Sequence, residues 1–310
     1  MAATGTQYSF DDEPGLHAPE LYDYAGLLEG LDGLGAIDAS QVTRYHQQGV
    51  LAVHNAFSAQ QVQDALDGLT DLIAGKAPEF TNIQFRGDVR DRLDQLTVEE
   101  RINAVRRLLY FAEYDARLLA IAQHPPLLAV VERVLGAPPV LFQSMALIKP
   151  PRGREKPWHQ DHAYFELPLD VRVVGVWIAL DEAGIENGCM RFMPGWQRVA
   201  DKERDGETGR ASALRSVQVG EEWRPIWPHY LLRDLQICDR EMEGMQAHRI
   251  AAPLQPGGLV MFDSYIPHGT PSNLTAQRRR ALQFHYTAAE VPKITAEERV
   301  ALWLGAEGTC

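Results

Sequence analysis

The 310-residue chain is poor in cysteine: it has three, Cys189, Cys238 and Cys310, and no CxxC pair. An odd count without paired spacing fits a reducing compartment better than a disulfide framework and reads as packing residues or incidental thiols. Basic residues are also few, 30 Lys and Arg against 42 Asp and Glu, for a net charge of −12. An acidic surface opposes attachment to phosphate backbones and anionic lipid, so neither nucleic acid nor a membrane is expected as a partner. No uninterrupted apolar run approaches the roughly 18 residues that cross a bilayer, and the opening MAATGTQYSFDDEPG has neither the basic nor the apolar region of a secretory signal. The expectation is a cytoplasmic monomer or homodimer acting on a small molecule. No GxGxxG lies between a strand and a helix, which removes a Rossmann dinucleotide site, and there is no internal repeat or low-complexity tract.

What is present divides the chain in two. Residues 1–37 read as a partly ordered arm, with Leu27, Leu28, Leu31 and Leu34 as its one helical pattern. Residues 38–310 read as one domain. SAQQVQDALDGLTDLIAGK opens on a Ser58…Gln61 capping box, repeats Val62, Leu66, Leu69 and Ile73 on one face, and stops at Gly75. TVEERINAVRRLLYFAEYDARLL, opened by Thr97…Glu100, and PPLLAVVERVLG, closed by Gly136, follow the same logic. After Gly136 the texture becomes β-branched and aromatic, broken by Pro and Gly, as in PVLFQSMALIKPP, VRVVGVWIALDE and GGLVMFDSYIPHG. Helices followed by many short strands predict an α+β, mainly β unit: a barrel or sandwich braced by N-terminal helices. Residues 196–247, with Trp223, Trp227 and Tyr230, form a long charged insertion that is either a lid over a pocket or a solvated excursion.

The chemistry concentrates in KPWHQDHAYFEL, residues 156–167. Pro157 and the absence of a 3.6-residue pattern oppose a helix; on a strand His159 and Asp161 share one face and His162 points away. An imidazole and a carboxylate on one face can bind one cation, but a metal needs at least one more ligand. His268 has the most suggestive setting, at the end of a buried-looking strand entered through Gly257-Gly258. His17, His46, His54, His124, His229 and His248 read as structural or surface groups, and His285 is undecided. Two histidines and one carboxylate, with no thiolate, form the facial-triad pattern, which suits Fe(II) better than structural zinc and leaves three positions open.

Three stretches in this order, KPPRGREKPWHQDHAYF, GVWIALDEAGIENGCMRFMPGWQR and PGGLVMFDSYIPHGTPSNLTAQRRRALQFHY, resemble the phytanoyl-CoA dioxygenase family of Fe(II)- and 2-oxoglutarate-dependent oxygenases, over about residues 40–290. The resemblance implies a double-stranded β-helix, a jelly roll related to cupins. It implies His159, Asp161 and His268 as iron ligands, Arg279 as the clamp on the distal carboxylate of 2-oxoglutarate, and Thr270 as its hydroxyl partner. Gln143 and Trp177 match residues lining the co-substrate pocket, and Asn187-Gly188 matches a turn. Alternation puts Arg279 on one strand face with Ala281, Gln283 and His285, and Arg280 on the other with Leu282, Phe284 and Tyr286; the offset from His268 that the resemblance implies favours Arg279, with Arg278 and Arg280 as surface or rim charges. Gln160, between two ligands, is a candidate substrate contact.

The implied reaction consumes O2 and 2-oxoglutarate, releases succinate and CO2, and hydroxylates a C–H bond. Desaturation, epoxidation and cyclisation use the same ligands. The rivals are a cupin-like metal-binding protein without turnover and a metal hydrolase. A carboxylate clamp argues against the first, since a metal sink has no use for one.

Overall fold

The computed structural model describes residues 17–198, 215–219, 222–227, 229–231, 235–288 and 291–303. Residues 1–16 of the expected arm and 199–214 of the insertion lie outside the described residues. The strands are β1 (Gly26–Leu27), β2 (Gly30–Asp32), β3 (Val50–His54), β4 (Ile83–Phe85), β5 (Val105–Leu109), β6 (Val140–Lys149), β7 (Lys156–His159), β8 (Val174–Ala179), β9 (Met190–Phe192), β10 (Arg215–Val219), β11 (Glu222–Ile226), β12 (His229–Leu231), β13 (Leu235–Ile237), β14 (Ile250–Ala252), β15 (Leu259–Asp263), β16 (His268–Thr270) and β17 (Arg279–Thr287). The helices are α1 (Ala39–Gln48), α2 (Ala59–Ile73), α3 (Val98–Ala104), α4 (Ala116–Ala122), α5 (Pro125–Leu135), α6 (Asp239–Met242) and α7 (Ala296–Trp303).

Thirteen strands make two sheets: a larger one in the order β2-β3-β15-β8-β17-β6-β5-β4 and a smaller one in the order β1-β14-β9-β16-β7. The two-residue period of the strands sorts their side chains. Val50 and Ala52 of β3, Trp177 and Ala179 of β8, Val260 and Phe262 of β15 and Ala281 of β17 pack with Met190, Phe192, Ala251 and Ala252 of the smaller sheet. The intervening Leu51, Val53, Val176, Ile178, Leu259, Met261, Leu282 and Phe284 pack with Val62, Leu69 and Ile73 of α2, Leu118 of α4 and Val131 of α5. The result is a jelly roll, the double-stranded β-helix, with one face covered by N-terminal helices.

α2 carries the capping box between Ser58 and Gln61, with Ser58 Oγ accepting from Gln61 N at 3.2 Å. TVEERINAVRRLLYFAEYDARLL does not form one helix. α3 ends at Ala104, β5 pairs with β6 and β4, Tyr110 turns at φ 54°, and Asp115 caps α4. The apolar positions Val105 and Leu108 fit a helical spacing, but sheet pairing to β6 won over that local pattern. By length and composition Ala116–Leu135 is apolar enough to cross a bilayer; it is split into α4 and α5, and Leu118, Ile121, Leu127, Val130, Val131 and Val134 bury in the helix-side core.

The leucines of residues 26–34 form two short strands and a 3₁₀ turn rather than a helix. β1 runs parallel to β14, and β2 parallel to β3. Cys238 is disulfide-bonded, so it is no incidental thiol, an outcome that an odd cysteine count does not signal. Cys189 is free and buried.

Candidate metal centre and its cavity

β7 stops at His159, and the chain then turns through Gln160 into a 3₁₀ turn over Asp161–Tyr164. Asp161 therefore meets His159 around a turn, not along a flat strand. His268 opens β16 and is the register partner of His159 on the neighbouring strand. The ligand atoms of His159, Asp161 and His268 all lie within 4.8 Å of one another, and all three residues are buried. Asp161 Oδ1 is 3.3 Å from His159 Nε2 and 3.5 Å from His268 Nε2.

Each histidine has its Nδ1 tied to a backbone carbonyl two residues back: His159 to Pro157 at 2.7 Å and His268 to Ile266 at 2.9 Å. A carbonyl only accepts, so Nδ1 carries the proton and Nε2 turns a lone pair toward Asp161. Burial, then the neighbouring His268, pulls the pKa of His159 down to about 4, which keeps its ring neutral at pH 7 and fit to ligate. Burial favours protonation of Asp161, but the neighbouring His268, His159 and His285 outweigh it and hold the carboxyl well below its ordinary value. Two imidazoles and one carboxylate without a thiolate suit Fe(II).

The triad opens into a cavity of about 360 Å³ that Gln143, Trp177, Thr270 and Arg279 also line. Arg279 is 3% exposed; its Nη1 donates to the Gly188 carbonyl, its Nε has no hydrogen-bond partner, and its guanidinium carbon lies 5.1 Å from the Trp177 ring centroid. Burial lowers its pKa to about 10, so it stays charged at neutral pH. An orphaned donor on a buried guanidinium asks for an anion. Thr270 Oγ1 accepts from Lys149 Nζ at 2.9 Å, which leaves the threonine's own hydrogen free for that anion. The neighbouring arginines turn elsewhere: Arg278 pairs with Glu99, and Arg280 is bidentate to Asp181 at 2.7 and 2.8 Å.

The Asn187-Gly188 turn is scaffold. Asn187 Oδ1 accepts from Gly184 N at 2.7 Å, and Gly188 sits at φ 84°, where a Cβ would meet the Pro271 carbonyl at 2.4 Å.

Gln160 is a correction. It is fully buried and does not line the cavity; its amide nitrogen donates to the carbonyls of Pro225 and Tyr265 at 3.0 and 2.6 Å, and its amide oxygen accepts from Trp227 N at 3.1 Å. It fastens β11 to the metal-site turn. The described part of residues 196–247 does not line the cavity either. His162 points away, with Nδ1 at 3.1 Å from Ser264 Oγ and Nε2 at 3.1 Å from the Pro168 carbonyl.

Several lining residues escaped the sequence reading: Lys149, Arg106, Arg107, Arg154 and Lys156, and also Gln283 and His285. The last two share a strand face with Arg279, so the alternation that groups them with the arginine also marks them.

The sequence pattern of the phytanoyl-CoA dioxygenase (PhyH) family matches residues 45–281. The chain belongs to the phytanoyl-CoA dioxygenase family. Phytanoyl-CoA dioxygenase domain-containing protein 1 of Rattus norvegicus is 29% identical over 192 residues, 62% of this chain and 59% of that protein, so the match spans less than two thirds of the relative. EvdO2 from Micromonospora carbonacea var. aurantiaca, solved in complex with 2-oxoglutarate, superposes with a TM-score of 0.58 at 23% identity over 87% of this chain and 97% of that one. EctD from S. alaskensis, solved with bound Fe, gives 0.60 at 19% identity over 83% and 80%. Both likenesses show the fold. The donor set of the triad and the orphaned guanidinium of Arg279 fit an iron ion and a dicarboxylate of the kind those two structures hold.

Proposed function

We propose that the chain is an Fe(II)- and 2-oxoglutarate-dependent dioxygenase that hydroxylates a C–H bond of a small, negatively charged molecule. The observation that carries this reading is the joining, in one cavity, of a buried His-Asp-His triad and a buried guanidinium with a free donor. His159, Asp161 and His268 would hold the iron; Arg279 and Thr270 would hold the distal carboxylate of 2-oxoglutarate, with Trp177 and Gln143 as walls. Iron and co-substrate, when bound, supply the oxidising chemistry that consumes O2 and releases succinate and CO2.

The remaining work falls to the chain. Leu109, Met145, Leu147 and Phe165 give the cavity an apolar wall that excludes water from the reacting centre. Arg106, Arg107, Arg154, Lys156 and Arg279 line it, with Lys149, whose amine is pushed well below its ordinary pKa by burial and by Arg279, against two acids, Glu155 and Asp161. The two carboxylates of 2-oxoglutarate offset only part of that excess, and in a chain of net charge −12 the remainder draws an anionic substrate. The test has two stages. Anaerobic addition of Fe(II) and 2-oxoglutarate should produce a weak visible charge-transfer band; retention of zinc without the band supports a hydrolase instead. A succinate-release screen should then find turnover among small organic acids and not their neutral esters.

A further inference from the structure

Asp161 has two carboxylate oxygens, and the structure treats them differently. Oδ1 faces the Nε2 atoms of His159 and His268. Oδ2 accepts from Gln283 Nε2 at 3.0 Å and lies 2.9 Å from His285 Nε2. We infer that Gln283 and His285 are positioning residues that hold Oδ2 away from the metal, so that Asp161 ligates through a single oxygen and leaves the positions that co-substrate and O2 require. This rests on the reading of the triad as metal ligands.

A free carboxylate can swing both oxygens onto a cation, as hard metals often demand, and each extra oxygen uses a coordination position. Two donors converging on one oxygen oppose that swing. Both stand on the inner face of β17, which is paired on one side to β6 and on the other to β8, so the backbone beneath them is fixed. His285 is fully buried, with its ring 4.9 Å from that of Phe165 and 6.0 Å from that of Phe142, so no solvent reaches in to replace its hydrogen bond. Its Nδ1 has no partner; Nε2 lies 3.0 Å from Gln283 Nε2 as well as 2.9 Å from Asp161 Oδ2, and a proton on Nε2 is the tautomer that donates to the carboxylate. Groups hydrogen-bonded to metal ligands set ligand orientation, and their loss typically weakens metal affinity by about 10- to 100-fold.

The experiment titrates metal-free protein with Co(II), reading affinity and the d–d absorption spectrum, with thermal melting of the metal-free form as a check on folding. His285→Leu and Gln283→Met should each weaken Co(II) binding by about 10-fold or more and alter the spectrum. His285→Gln, whose amide nitrogen reaches the place of Nε2, should restore both. A purely structural role predicts lower melting temperatures with affinity and spectrum unchanged in the folded protein, and that result overturns the inference. If His285→Leu does not fold, Gln283→Met decides alone. A wild-type protein that binds no Co(II) refutes the triad itself, a different outcome from a wild type that binds and variants that bind equally well.

Discussion

His159 and His268 are direct cross-strand partners on β7 and β16, and their ring centroids lie 4.2 Å apart. Two imidazoles at one register position, each with its tautomer set by its own backbone, form half a metal site before any ion arrives. Replacing either breaks up the group of three metal-capable side chains found among the described residues. His268→Ala should abolish tight Fe(II) binding and lower turnover about a thousandfold or more, several kcal/mol of transition-state stabilisation. Metal analysis of the purified variant, beside a turnover assay, checks both.

Arg279 and Arg280 are chain neighbours on opposite faces of β17. Arg279→Ala should raise the KM for 2-oxoglutarate about 100-fold, because it removes a buried charge-assisted contact. Arg280→Ala breaks a partly exposed pair with Asp181 and should cost about 1 kcal/mol or less, with that KM within about twofold of wild type. Steady-state kinetics in 2-oxoglutarate separates the two; equal effects would dissolve the assignment of the clamp.

Gln160 lies between two ligands in sequence yet serves the scaffold. Gln160→Ala leaves the buried backbone groups of Pro225, Trp227 and Tyr265 without their side-chain partner, at a cost of about 2–4 kcal/mol. Urea denaturation should show that loss, while the KM of the folded enzyme for its substrate stays near wild type. A selective rise in KM would return Gln160 to the substrate.

His162 sets a pH dependence of stability. Burial pulls its pKa down to about 4, whereas the unfolded ring titrates near 6.5. As pH falls below 6.5 the unfolded chain takes up the proton and the folded ring does not. Stability is thus fully present above 6.5 and is lost progressively down to about pH 4, by about 3 kcal/mol from this group. Denaturation of the metal-free protein at pH 7, 6 and 5 measures the slope; His162→Gln should flatten it, and an unchanged slope would exonerate the residue.

Much of the site was legible because its determinants are local. The imidazole-carboxylate pair lies within three residues, and one strand period carries Arg279, Gln283 and His285 to the same face. Gln160 was misread because its role depends on β11, 65 residues away, which no nearby pattern announces. The stretch from Val105 to Leu109 was misread because a five-residue apolar pattern fits helix and strand alike, and β6 decided the matter. The charge of the cavity was hidden for a related reason: Arg106 and Arg107 take their meaning from the strand they turned out to be on. Net acidity described the surface and said nothing of the interior.

The short strands near residue 30 have a practical consequence. β1 caps one rim of the smaller sheet and β2 one rim of the larger, with only Leu28 and Glu29 between them. A clone begun after residue 37 would lose both covers together and expose two raw borders of backbone amides and carbonyls, an invitation for one copy to stick to another.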